Sequence, residues 1–209
     1  MGISQVDIAE TPDGNADSPQ FDTFGKMLFA KPFQRRMPFS DFLPSLVQQS
    51  LKGFQDDPIQ NDNLRDEYLP LLGDVKPSIE WVDKAFEGED NLDAVNVWIG
   101  TSQSVTALHR DTYENIYCQI VGSKHFVLLP PIATPCVNEQ FLKPATYDKN
   151  MNLVRDDDVS EGSPSEREVP CALWDPDDPA KNATAATRYC EPLRVTLEPG
   201  DMMYLPTCW

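Results

Sequence analysis

The chain has 209 residues, 34 Asp+Glu against 17 Lys+Arg, and a formal net charge of −17. That length suits one domain with a real core, and 40% hydrophobic residues, with four Trp and ten Phe, argue against wholesale disorder. The charge disfavours duplex DNA or an anionic membrane as partner, because like charges repel, and no apolar run approaches the roughly 18–20 residues that span a bilayer. Nineteen Pro against ten Gly predict short, frequently interrupted elements.

In chain order, residues 1–36 read as polar and turn-rich, with Thr11-Pro12-Asp13-Gly14 a turn. Ser40 is placed to N-cap a short helix over Phe42–Gln49 that tolerates Pro44 early on. A second helix is expected over Leu64–Leu72, stopped by Gly73, and a third over Ser78–Phe86, followed by Gly88. From Ala94 the texture turns to β. Strands are expected at Ala94–Ile99, Val105–Leu108, Asn115–Val121 and His125–Leu129, with Gly122-Ser123-Lys124 a hairpin between the last two.

Residues 148–192 are acidic and Pro-rich (Asp156-Asp157-Asp158, Asp175-Pro176-Asp177-Asp178-Pro179) and read as a long, solvated connection. Arg194–Leu197, the turn Glu198-Pro199-Gly200-Asp201 and Met202–Leu205 then give a strand–turn–strand signal. Residues 1–93 are therefore expected to form an N-terminal flank with short helices, and 94–209 a β core, barrel or sandwich. Five cysteines without a C-x-x-C pair, and an N-terminus without a basic-then-apolar signal, point to a reducing, intracellular compartment.

The chemistry-bearing feature is His109-Arg110-Asp111. On extended backbone, residues i and i+2 share a face, so an imidazole and a carboxylate can converge on one point. That supplies two members of the two-histidine, one-carboxylate triad of non-haem Fe(II) oxygenases. Taken alone, H-x-D is a common pair, and an exposed, idle pair is the plain alternative. Lys124, flanked by Phe126 and Leu128 on alternate positions, would be costly to bury without an anion, although a hairpin-tip lysine in water is the simpler reading of position alone.

The stretch from Val105 to Pro131, with its H-x-D-x-x-x-N core (His109, Asp111, Asn115) and downstream G-x-K (Gly122, Lys124), resembles the Jumonji-C (JmjC) branch of the cupin superfamily. The resemblance is nearest to its lysyl hydroxylase branch, which acts on developmentally regulated GTP-binding proteins. Supporting segments are Thr11–Asp17, Asp93–Gly100, Pro144–Tyr147 and Pro199–Pro206.

The resemblance implies a double-stranded β-helix (cupin jelly roll), with Fe(II) as metal and 2-oxoglutarate as cosubstrate. It makes His109 and Asp111 metal ligands, and sets Lys124 against the distal carboxylate of 2-oxoglutarate. It adds Thr106, Asn115 and Tyr117 as further cosubstrate contacts, while His125, opposite in direction to Lys124, is structural. The third ligand, a histidine, and the closing C-terminal strands are expected beyond Trp209. The family's additional tyrosine has no counterpart in Phe54–Gln60. The implied function is protein hydroxylation in the cytoplasm, the nucleus or both, preferably of a lysyl side chain in a basic segment, with a homodimer for a longer form. The alternatives are N-methyl-lysine demethylation and a non-catalytic cupin-like binding module.

Overall fold

The computed structural model describes residues 4–48, 54–56, 62–76, 78–86, 92–156 and 168–209. Gln49, Gln60, Gly88, Asp157 and Asp158, which figured in the expectations above, lie outside them. No described helix is long and apolar enough to cross a membrane. The chain groups into two compact units, each drawn from several segments: Met1–Asp17, Ala30–Thr106 and Thr146–Val154 in the first, Ser18–Phe29, Ala107–Ala145 and Arg155–Trp209 in the second.

The first unit corrects the turn-rich reading of residues 1–36. Gln5–Glu10 is a strand at the centre of a three-stranded antiparallel sheet, between Phe33–Pro38 and Phe54–Asp56. Four of its residues in succession, Val6 to Ala9, are buried, so both faces of this strand are covered. That hides the alternation by which a half-exposed strand announces itself.

Val6 and Ile8 join Phe42, Leu46, Leu64 and Tyr68 in one core. Phe42 and Leu46 come from the helix Phe39–Gln48, which begins before Ser40, so that Ser40 lies inside the helix and is not its cap. The expected helix over Leu64–Leu72 is two short 3-10 turns, Asn63–Arg65 and Leu69–Leu71, with Pro70 unable to donate to a continuous helix. Glu80–Ala85 is helical, as the third expectation had it.

Residues 94–99 belong to no sheet; Leu64 N–H donates to the Val95 carbonyl at 3.1 Å, and side chains supply other partners that a neighbouring strand would. The fully buried Asn63 donates from Nδ2 to the Val97 carbonyl (3.0 Å) and accepts from its N–H (2.7 Å). Asp62 accepts from Val95 N–H at 2.8 Å, and Asn96 Oδ1 from Asp62 N–H at 2.8 Å. Backbone groups withdrawn from water need partners, and here amide and carboxylate side chains supply several of them. Val95, Val97 and Ile99, at the period-2 spacing of the sequence, pack on the first unit's core.

The second unit carries the outcome that matters for function. Asn115–Cys118 and Lys124–Leu128 do not pair with each other, so the hairpin reading of Gly122-Ser123-Lys124 is wrong. Asn115–Cys118 pairs antiparallel with Met202–Leu205, and Lys124–Leu128 with Leu193–Leu197. The two links between these strands face each other, five residues (119–123) against four (198–201), with Gln119 N–H donating to Asp201 O at 3.0 Å and Gly200 N–H to Gln119 O at 2.9 Å. One extra residue on one side works as a bulge does: it bends an antiparallel ribbon and passes it from one two-stranded sheet to another. Gly122 (φ 69°) and Gly200 (φ 97°) take the left-handed conformations that the bend requires.

A small core of Leu129, Ala133, Val137 and Trp174 underlies the rest of this unit. Within the stretch 148–192, expected to be a solvated connection, lie the strands Leu153–Arg155 and Val169–Ala172 and the 3-10 turn Thr187–Tyr189, with Cys171, Trp174 and Thr187 buried.

Candidate metal centre and cosubstrate site

Residues 107–114 contain no helix or strand, so His109 and Asp111 are held by specific contacts instead of a ladder. The expected convergence is present: His109 Nε2 lies 3.6 Å from Asp111 Oδ2, and both side chains are about half exposed. His109 Nδ1 is 2.8 Å from the Ala107 carbonyl. A carbonyl only accepts, so Nδ1 carries a proton and Nε2 is the ring nitrogen turned toward the carboxylate. A metal-binding histidine is oriented in this way, with its far nitrogen fixed by a second partner. The Asp111 carbonyl accepts from Cys208 N–H at 2.7 Å, which ties the loop to the residues after Met202–Leu205. Among the described residues no group of three or more His, Cys, Asp or Glu side chains gathers as a metal site. His109 and Asp111 stand there as a pair.

The second group is a half-buried cation in an aromatic setting. Lys124 Nζ lies 5.0 Å from the centre of the Tyr117 ring and 5.3 Å from that of Phe126. The two rings meet edge to face at 4.9 Å. Burial lowers the Lys124 pKa from its ordinary value and raises that of the Tyr117 phenol, the neighbouring Cys118 adding to the latter. Ring faces offer an ammonium a modest attraction but no countercharge. No carboxylate among the described residues pairs with Lys124, so an anion brought by a ligand would find its partner ready.

Asn115 lies two residues before Tyr117, hence on the same side of its strand, and is exposed. Thr106 belongs to the other compact unit, on the strand Val105–Thr106, which runs parallel to Asn15–Ala16. His125 is exposed and faces away from Lys124; its Nδ1 meets Thr196 Oγ1 at 2.9 Å across the strand pair. Two contributors carried no sequence signal: the Ala107 carbonyl, whose role depends on loop conformation, and Glu139, whose Oε2 lies 2.8 Å from Arg110 Nη1. The ring pairing of Tyr117 with Phe126 follows from the bend of the ribbon, which the hairpin reading would have placed otherwise.

Comparison with known families settles what this arrangement belongs to. The family model described as a cupin-like domain matches residues 1–209. The chain belongs to the cupin-like family. Similar proteins carry JmjC names. The bifunctional peptidase and (3S)-lysyl hydroxylase JMJD7 of Homo sapiens is 34% identical over 223 residues, covering 100% of this chain and 63% of the relative. The lysine-specific demethylase JMJ32 of Arabidopsis thaliana is 34% identical over 215 residues, covering 98% and 60%. JmjC domain-containing protein E of Dictyostelium discoideum is 28% identical over 230 residues, covering 98% and 62%. The chain therefore spans about three fifths of the length of these relatives. Its mainly β architecture, with few helices and a bent ribbon shared by two sheets, accords with the cupin jelly roll.

Proposed function

We propose that this chain carries the Fe(II)- and 2-oxoglutarate-binding part of a protein oxygenase whose preferred target is a lysyl side chain. The observation that carries the reading is the His109–Asp111 pair, with the imidazole oriented so that Nε2 and a carboxylate oxygen face one point. The pair fits a divalent metal of the Fe(II) kind, for which imidazole and carboxylate are suitable donors. When bound, Fe(II) with 2-oxoglutarate would activate O2, one oxygen atom going to 2-oxoglutarate as it loses CO2 to become succinate and the other hydroxylating an unactivated C–H bond.

The protein's share is positional. His109 and Asp111 hold the metal on one side and leave other coordination positions to the cosubstrate and O2. Lys124 provides the countercharge for the distal carboxylate of 2-oxoglutarate, and Tyr117 and Phe126 hold its ammonium in a half-dry setting where that charge is strongly felt. Asn115, on the same strand as Tyr117, is a further cosubstrate contact. A net charge of −17 suits a basic target segment, and five free cysteines suit the cytoplasm or nucleus.

Lysyl hydroxylation is supported by the name of the human relative, and N-methyl-lysine demethylation by that of the Arabidopsis one. A lysine peptide and its trimethylated form, incubated with the protein, Fe(II) and 2-oxoglutarate, separate them. Hydroxylation adds the mass of one oxygen atom, whereas demethylation releases formaldehyde. Succinate formation should vanish in His109→Ala and in Asp111→Ala, and undiminished turnover in both would overturn the proposal. A binding module without catalysis would show neither turnover nor stabilisation by Fe(II) with 2-oxoglutarate.

A further inference from the structure

The residue between the two ligands faces a different task. Arg110 Nη1 reaches Glu139 Oε2 at 2.8 Å and lies 3.5 Å from Thr134 Oγ1. Glu139 stands on the strand Glu139–Leu142, paired antiparallel with Val169–Ala172, and Thr134 on the 3-10 turn Pro131–Cys136, where its hydroxyl donates to Pro131 O at 2.7 Å. Both partners are thus fixed by the body of the second unit. The loop that bears the ligands is not: it has no ladder bonds of its own, and His109 and Asp111 are half exposed. On extended backbone the middle residue of a tripeptide projects away from its neighbours. Arg110 is accordingly the one side chain of the three with an ion pair to a regular element.

We infer that Arg110, through Glu139, is a positioning residue that fixes the conformation in which His109 and Asp111 converge; the inference rests on the metal reading proposed above. Arg110 touches neither metal nor cosubstrate in this role. It sets the orientation of the loop, and with it the bond from Cys208 N–H to the Asp111 carbonyl (2.7 Å).

Electrostatics provides a test of sign. Removing a cation beside a cation site strengthens metal binding if charge alone matters. Removing a positioning residue weakens it, and supporting partners of metal ligands are typically worth about 10–100-fold in affinity. Mn(II) binding to the whole chain, measured by electron paramagnetic resonance, should weaken about tenfold in Arg110→Ala and in Glu139→Gln, the double variant being no weaker than either. Arg110→Lys should recover part of the loss, since a single guanidinium nitrogen makes the contact. Mn(II) affinity equal to or tighter than wild type in Arg110→Ala would overturn the inference, as would fully additive losses in the double variant.

A second measurement needs no metal. Amide hydrogen exchange at Cys208 in the metal-free chain should accelerate about fivefold or more in Arg110→Ala and Glu139→Gln, and unchanged exchange in both would overturn the inference. If the wild-type chain binds no Mn(II) at all, the metal reading fails, and the Cys208 amide alone then decides whether Arg110 positions the loop.

Discussion

The two compact units treat buried charge in opposite ways. In the first, Asp7 is wholly buried and lies directly across the strand pair from Arg36, whose Nε and Nη2 reach its two carboxylate oxygens at 2.6 and 3.1 Å. Glu67, also buried, accepts from Asp7 N–H at 3.1 Å. The charges there are answered mainly by the protein's own groups, and the neighbouring core is apolar and closed. In the second unit Lys124 is half buried with aromatic rings around it and no carboxylate partner among the described residues. One region spends its electrostatics on staying folded, whereas the other leaves a charge unanswered where a ligand can answer it.

The largest expected effects probe that division directly. Phe42 is fully buried in the first core, so Phe42→Ala should cost about 3–5 kcal/mol of stability, read by urea or thermal unfolding. By contrast Val121→Ser, at a position 84% exposed on the bent link of the second unit, should change stability by no more than about 0.5 kcal/mol. Equal effects would erase the distinction between a region built for packing and one built for presentation.

Lys124→Met should act on binding instead. It removes a half-buried charge that lacks a partner, so the melting temperature of the free protein should hold or rise. Affinity for 2-oxoglutarate should fall roughly thirtyfold or more, the loss of at least about 2 kcal/mol expected when one partner of a desolvated charge pair is removed. Isothermal titration with the metal present measures it, and unchanged affinity would remove Lys124 from the site.

Glu67 gives the first unit its pH dependence. Burial, reinforced by the adjacent Asp7 carboxylate, raises its pKa to about 7, from an ordinary 4.5. A carboxyl group whose folded pKa is raised favours folding while it holds its proton. Its contribution is complete below about pH 4.5 and is lost as pH rises through about 7. Its Oε1 finds no hydrogen-bond partner among the described residues, as a shared proton with Asp7 would explain. Glu67→Gln replaces that proton with a permanent N–H donor. It should flatten the slope of stability between pH 5 and 8 and stabilise the protein at pH 8 by ~1–3 kcal/mol, a figure bounded by the size of the shift. Parallel stability–pH curves for the two proteins would show that Glu67 does not titrate in this way.

How much of this was legible in the sequence depends on how far apart the partners lie along the chain. His109 and Asp111 are two residues apart, so period-2 spacing was enough to expect their side chains together, though not the contacts that hold them. Tyr117, Lys124 and Phe126 were each marked, the last two by alternation. What sequence order could not supply was pairing across distance. Lys124 pairs with Leu197 and Asn115 with Leu205, so a local Gly-Ser-Lys turn that looks like a hairpin is a bend in a ribbon closed by a distant segment. The strand Gln5–Glu10 escaped notice because it places Asp7 and Glu10 among apolar residues, and only the tertiary partners Arg36, Arg35 and Glu67 explain those charges. Asn96 lay inside the expected strand Ala94–Ile99 and Asn63 just before the expected helix Leu64–Leu72, and neither position announced that these side chains would bond backbone across that separation.

The smallest effect concerns the second histidine, and it sharpens the contrast inside the second unit. His125 and Lys124 are neighbours on one strand, yet alternation sends one toward the Tyr117 and Phe126 rings and the other out to Thr196. If only His109 serves the metal, His125→Ala should cost no more than about 0.5 kcal/mol, the worth of an exposed cross-strand pair, and a double-mutant cycle with Thr196→Ala should recover a coupling of that size. Mn(II) and 2-oxoglutarate affinities should stay within twofold of wild type. A larger loss of metal affinity would mean that the imidazole lying across from Thr196 reaches the ligand pair in solution, and the assignment of roles along this strand would have to be reversed.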